Sequence, residues 1–116
     1  MAPGREGRDA GQEDVKGLAA RLLALARPGA RPDGSVYSGV PFEALRTLAL
    51  GQGRSPRELE LSCLEAGLTP ERYVRNQTAL GLVEQATLGR SRVLLVGLGG
   101  LGGYVLEQLA RLGVGR

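Results

Sequence analysis

Ser91-Arg92-Val93-Leu94-Leu95-Val96-Gly97-Leu98-Gly99-Gly100-Leu101-Gly102-Gly103 decides the reading of this chain. An apolar run is followed at once by closely spaced glycines, and then by Tyr104 to Leu112, which reads as a helix. A nucleotide-phosphate cradle needs that order: a buried strand, a tight backbone turn, and a helix whose N-terminus faces the ligand. Val93 to Val96 is apolar without alternation, as expected for a strand covered on both faces of a parallel sheet. Gly97, Gly99 and Gly102 have the G-x-G-x-x-G spacing, and each glycine has its own task. Gly97 permits a sharp turn out of the strand, Gly99 lets phosphate approach bare backbone, and Gly102 lets helix and strand lie close. The N–H groups near Gly99, Gly100 and Leu101 would then point at an anion, with the helix dipole behind them.

Outward from this segment, the chain bounds what surrounds it. Its 116 residues suffice for one ordinary domain, and long Leu/Ala/Arg stretches pull the fold toward α. Aromatics make up 3% of a chain that is 42% hydrophobic, so the core must be mostly Leu, Ala and Val. The net charge of +3 is spread from Arg5 to Arg116 without adjacent basic residues, which argues against a nucleic-acid stripe. One cysteine excludes an intrachain disulfide framework and a multi-cysteine zinc site within the chain. No apolar run approaches the ~20 residues of a membrane-spanning helix, and Met1 to Asp9 lacks the apolar centre of a signal peptide. The expectation is a cytoplasmic protein without membrane or nucleic-acid partners.

Residues 1–12 are rich in Gly, Arg and Asp and read as a disordered tail. From Glu13, the residues Val15, Leu18, Ala19, Leu22, Leu23 and Ala26 form one apolar helical stripe, stopped by Pro28-Gly29. Ala30 to Val40 reads as turn or loop. A second helix is expected over Pro41–Leu50, with Phe42, Leu45, Leu48 and Ala49 inward and Gly51 as its stop. Ser55-Pro56-Arg57-Glu58 is a capping box for a third helix, whose apolar residues cover more than one face and predict a sandwiched element. Gly67 is its expected C-cap, and Cys63 on it reads as a buried structural thiol. Thr69-Pro70 opens a fourth helix from Glu71 to about Gln77. Within it, Glu71 and Arg75 stand at i,i+4, so one reading is a surface ion pair.

A second reading comes from the order of the pieces. Arg72-Tyr73-Val74-Arg75-Asn76-Gln77, then Glu84-Gln85 with Leu88, then the strand and glycine turn, resembles the start of the ThiF/MoeB/HesA family, bacterial relatives of ubiquitin-activating enzymes. The resemblance spans roughly Pro70 to Gly115; its most specific parts are Arg72-Tyr73-x-Arg75 and the turn Gly97 to Gly102. It implies a Rossmann-like α/β parent fold, truncated here after its first strand and helix, so that the chain itself is mostly α. Residues 13–68 would be a helical N-terminal extension and 69–116 the start of the nucleotide-binding domain.

The resemblance also implies a chemistry: adenylation, with ATP and Mg²⁺, of the C-terminal glycine carboxylate of a ubiquitin-like sulfur-carrier protein. Gly97, Gly99, Gly100, Leu101 and Gly102 would line the ATP site. Arg75 would reach the triphosphate, in homodimeric members from the neighbouring subunit. Arg72 and Tyr73 would support that helix, with Arg72 a further candidate for nucleotide contact. Asn76 stands where many relatives have Gln, which leaves its role open. A carboxylate nucleophile needs no general base, so the absence of histidine is no objection; Arg donates bidentately and keeps its charge. The family's ribose-binding Asp, phosphate-binding Lys, Mg²⁺ ligands and any functional cysteines would fall after Arg116. The isolated chain is therefore expected to be inactive, and Val93–Val96 to be unpaired, covered only by helices, or paired with another chain. Two other readings stay open: part of an NAD(P)- or FAD-dependent oxidoreductase, which leaves the Arg-Tyr-x-Arg element unexplained, and a non-catalytic helical interaction module.

Overall fold

A computed structural model describes residues 16–115, so the expected tail, the helix start at Glu13 and Asp14, and Val15 lie outside the described residues. The chain is mostly helical with one small sheet. Residues 16–25 form α1. A hairpin of β1 (Arg27–Ala30) and β2 (Val36–Val40) follows, then α2 (Phe42–Gln52) and α3 (Pro56–Glu65). Next come β3 (Thr69–Pro70), a 3₁₀ helix (Glu71–Thr78), α4 (Leu82–Arg90) and α5 (Leu101–Leu112). The sheet has the order β1-β2-β3, with β1 antiparallel and β3 parallel to β2.

The hairpin corrects the expectation of a loop over Ala30 to Val40. Its turn places Pro32 second, with Gly34 N–H donating to Arg31 O at 2.9 Å and Arg31 N–H to Ser35 O at 2.8 Å. The Asp33 carboxylate accepts from Ser35 N–H at 2.9 Å and from Ser35 Oγ at 2.6 Å, an Asx-type closure of the turn. These bonds to Ser35 hold the Asp33 carboxyl below its ordinary pKa.

Leu18 and Leu22 of α1, Val40 of β2, Leu45 and Ala49 of α2, Leu59 and Cys63 of α3, and Leu68 make the core. Leu23 departs from the expected stripe at 65% exposure: α1 meets the core along the narrower line of Leu18 and Leu22, with Ala26 packed beside it. Phe42 is likewise exposed at the head of α2, while Leu48 packs against the core. The second helix runs past Gly51 to Gln52 and is closed by Gly53, whose φ of 65° is the left-handed conformation. On α3 the Ser55 side chain accepts from Glu58 N–H at 3.3 Å, and Leu68 N–H returns to Cys63 O at 2.8 Å past Gly67, a Schellman closure. This helix packs on α2 along one side and α4 along another, as its apolar spread predicts. Burial, with Glu60 nearby, pushes the Cys63 thiol up to about 12, so it stays protonated and inert.

Candidate functional site

Val93–Val96 forms no strand. Leu94 and Val96 are 88% and 87% exposed, so the expected covering on both faces is absent, and of the three outcomes foreseen for this run the unpaired one is found. The three-stranded sheet is built elsewhere, from residues 27–40 and 69–70, and leaves no strand beside Val93–Val96 among the described residues.

The glycine turn nevertheless takes a defined shape. Gly97 has φ 81°, and Gly100, which caps α5, has φ 59° and ψ −115°. Gly102 N–H donates to Gly99 O and Gly103 N–H to Leu98 O, both at 3.1 Å. A Cβ on Gly102 would stand 2.3 Å from Gly97 O, so the turn closes on itself only with glycine there. A Cβ on Gly99 would meet nothing within 4 Å: its face is open. Gly100 and Leu101 therefore head a twelve-residue helix, where amides lack intrahelical partners and the dipole favours an anion. These residues fit a phosphate group.

The Arg-Tyr-x-Arg element lies on the 3₁₀ helix, where its two arginines differ. Arg72 Nε stands 2.8 Å from Glu60 Oε1, an ionic contact without hydrogen-bond alignment, and Arg72 Nη2 donates to Glu60 Oε2 at 2.8 Å. The same Nη2 meets Tyr73 Oη at 2.8 Å, and Tyr73 Oη donates to Glu60 Oε2 at 3.2 Å. The Glu60 side chain is 5% exposed. Burial raises its pKa, against the opposing pull of Arg72 and the bonds from Tyr73 and Arg72. Burial disfavours the Arg72 charge, but Glu60 and Tyr73 outweigh it and lift the Arg72 pKa. The guanidinium also lies 4.8 Å from the Tyr73 ring centroid and 5.8 Å from that of Phe42. Arg72 and Tyr73 thus fasten the 3₁₀ helix to α3. A carboxylate set between Leu59 and Leu61, on a helix whose apolar residues cover more than one face, was the sequence signal that Glu60 would be buried and need a cation.

Arg75 is exposed, and its guanidinium has no hydrogen-bond or ion-pair partner among the described residues. The Glu71–Arg75 pair expected from spacing does not form: Glu71 is gripped instead by Arg27, with Nε to Oε1 at 3.0 Å and Nη2 to Oε2 at 3.2 Å. That bond and the Glu71 charge raise the Arg27 pKa. Asn76 acquires a role here. Its Nδ2 donates to Gln85 Oε1 at 3.1 Å and to Arg111 O at 3.3 Å, while Gln85 Nε2 donates to Leu112 O at 2.8 Å. Two side-chain amides thereby cap the last carbonyls of α5, and Gly113, at φ 92°, packs so closely on Gln85 and Tyr73 that a Cβ would strike both.

This capping sets the two halves of the candidate site along α5. Arg75 borders a groove with Glu107 and Arg111, whereas the glycine turn heads the helix. At 1.5 Å per residue, Glu107 and Arg111 lie about 9 and 15 Å along the axis from Leu101. Beneath the 3₁₀ helix a cavity of ≈ 230 Å³ is lined by Arg57, Glu60, Tyr73, Gln85 and the backbone around Gly113. Among the described residues no three His, Cys, Asp or Glu side chains come together in a group that could hold a metal ion. No helix there is long and apolar enough to cross a membrane.

The ThiF family model matches residues 73–116, a segment that holds Tyr73, Arg75 and the whole glycine turn and starts just after Arg72. Comparison with curated proteins and with solved structures returns no match.

Proposed function

We propose, from the match of residues 73–116 to the ThiF family model, that the chain is an N-terminal part of an ATP-dependent adenylyltransferase acting on the C-terminal glycine carboxylate of a ubiquitin-like sulfur carrier. The observation that carries this reading is the division of labour between the arginines: Arg72 is held by Glu60, and Arg75 is left exposed and unpaired. A permanently charged, forked donor without a partner suits a polyphosphate.

In the proposed reaction a carboxylate oxygen of the carrier attacks the α-phosphorus of ATP, the bond to the bridging oxygen breaks, and pyrophosphate leaves. The product is the mixed anhydride of carrier and AMP. The nucleophile is already ionised, so no residue has to remove a proton. What this chain supplies is orientation and charge. The amides at Gly100 and Leu101 hold phosphate oxygens at the head of α5, Gly99 leaves room for their approach, and Arg75 offsets the charge that builds on the departing pyrophosphate. With Arg75 beside the C-terminal half of α5, the reading that fits is a homodimer in which it serves the neighbouring subunit's turn. Cytoplasmic location belongs to the same proposal.

The test is carrier-dependent ATP–pyrophosphate exchange by the full-length protein and its Arg75→Ala variant. Exchange should fall at least about a hundredfold, in line with loss of one transition-state donor. Thermal stability should stay within about 0.5 kcal/mol, because an exposed side chain without partners is removed. Parallel loss of stability and activity would return Arg75 to a structural role. The 116-residue chain alone should show no exchange.

A further inference from the structure

We propose that Arg31, on the hairpin, is a positioning residue for Arg75, acting through Gln77 on the 3₁₀ helix that carries it; this rests on the reading of Arg75 given above. The 3₁₀ helix is eight residues long, whereas such helices rarely exceed 3–4 residues, because their hydrogen-bond geometry is poor. It therefore needs support from outside, and the hairpin grips both its ends. At the first turn the grip is Arg27 on Glu71, a pair 64% and 31% exposed, which solvent weakens.

At the last turn the grip is better built. Arg31 Nε and Nη2 both donate to Gln77 Oε1, at 3.0 and 2.6 Å, in a part-buried, charge-assisted contact. Gln77 Nε2 donates in turn to Thr69 Oγ1 at 2.9 Å, on the buried β3. Arg31 is itself fixed: Nη1 donates to Ser35 Oγ at 3.1 Å and Val36 O at 3.2 Å, and its guanidinium lies 5.3 Å from the Tyr37 ring centroid. Arg75, two residues before Gln77, has no side-chain hydrogen bond, ion pair or ring contact of its own to set its direction. Its placement is inherited from the backbone, which Tyr73 and Asn76 hold toward α3, α4 and α5 and which Arg31 holds on the hairpin side through Gln77.

The experiment takes Arg31→Ala, Arg75→Ala and their double variant in the full-length protein, with Gln77→Leu as a second route should Arg31→Ala fold poorly. Amide hydrogen exchange over residues 71–78 is measured without ATP, and kcat and KM for ATP are measured in carrier-dependent exchange. Arg31→Ala should speed amide exchange at 71–78 and lower kcat/KM for ATP about tenfold, as expected of a small misplacement of a charge-stabilising group, with KM for the carrier unaltered. In the Arg75→Ala background it should cost less than about twofold, since non-additivity marks residues that act as a unit. Gln77→Leu should reproduce these effects, and Gln77→Glu, which keeps the acceptor, should restore near-parent kinetics. Unaltered amide exchange at 71–78, or the same loss with and without Arg75, overturns the positioning role alone. Parent-like ATP kinetics in Arg75→Ala itself overturns the underlying reading and takes this proposal with it.

Discussion

Arg72 and Arg75 show how three positions can separate a structural arginine from an available one. Arg72 meets the only buried carboxylate among the described core residues, so the pair is asymmetric: the Glu60 side chain is 5% exposed and that of Arg72 51%. Arg72→Ala would leave Glu60 charged in the interior and should cost about 3 kcal/mol at neutral pH, whereas Glu60→Gln releases an arginine that can turn to water and should cost less. The pH dependence has a definite sign. Burial already sets the folded pKa of Glu60 above its unfolded value, so the stability linked to this group is greatest at low pH and is lost as pH rises through the folded value. Removing Arg72 raises that value further. Urea titrations should therefore show the Arg72→Ala deficit narrowing as pH falls from neutrality into the carboxylate range; a deficit constant across that window would refute the assignment. The glycines of the turn offer a paired test. Gly102→Ala drives a Cβ into Gly97 O and should distort the turn and loosen its amides, while Gly99→Ala meets no atom of the chain. Gly99→Ala should leave melting within about 0.5 kcal/mol yet weaken binding of ATP by the full-length protein, and unimpaired binding would remove Gly99 from the site.

Elements closed by neighbouring residues are readable from sequence, and those closed from a distance are not. The third helix announces itself through Ser55, Pro56 and Gly67, all acting within a few positions of its ends. Ser55→Ala should accordingly cost about 1 kcal/mol in thermal unfolding, the ordinary worth of such a cap. The hairpin escaped notice because Pro28, Gly29, Pro32, Gly34 and Gly39 interrupt it and no apolar alternation marks a face. What holds it comes from far along the chain, through Arg27 on Glu71, 44 residues away, and Arg31 on Gln77, 46 away, and through the parallel pairing of Gly39 and Val40 with Thr69 and Pro70. The candidate site divides in the same way. Its glycine spacing and the Arg-Tyr-x-Arg run were legible as local patterns. Which arginine is free, and that Asn76 and Gln85 cap α5, depend on Glu60 and on the carbonyls of Arg111 and Leu112. The α5 docking makes its own prediction: Gln85→Leu strands the Leu112 carbonyl and leaves the Asn76 amide only its bond to Arg111 O, a loss of about 1–3 kcal/mol. Hydrogen exchange should rise across 101–112 and stay low in α2 and α3; a uniform rise would mean that α5 and the core unfold together.

At the scale of the whole molecule, the core and the apolar surface lie in different places. Residues 16–68 contribute every member of the core cluster, and α5 contributes no buried residue. Leu94, Val96, Leu98 and Leu101 are each at least 60% exposed, and Val93, Leu106 and Leu112 are more than 40% exposed. These side chains fall within one short length of chain, 93–112, and Val93–Val96 adds backbone without a strand partner. A run of exposed apolar residues with unpaired backbone is a template for association with another chain. The 116-residue chain should therefore associate with itself at concentrations where its core is fully folded. Replacing Leu94 and Val96 with Lys places charge at the two most exposed apolar positions of that run and removes nothing from the core. Sedimentation of the double variant should show the monomer at concentrations where the parent chain is associated, with the thermal midpoint unaltered. Were the midpoint to fall with solubility unimproved, Val93–Val96 would have to be part of the folded core, and the separation of core from apolar surface would be wrong.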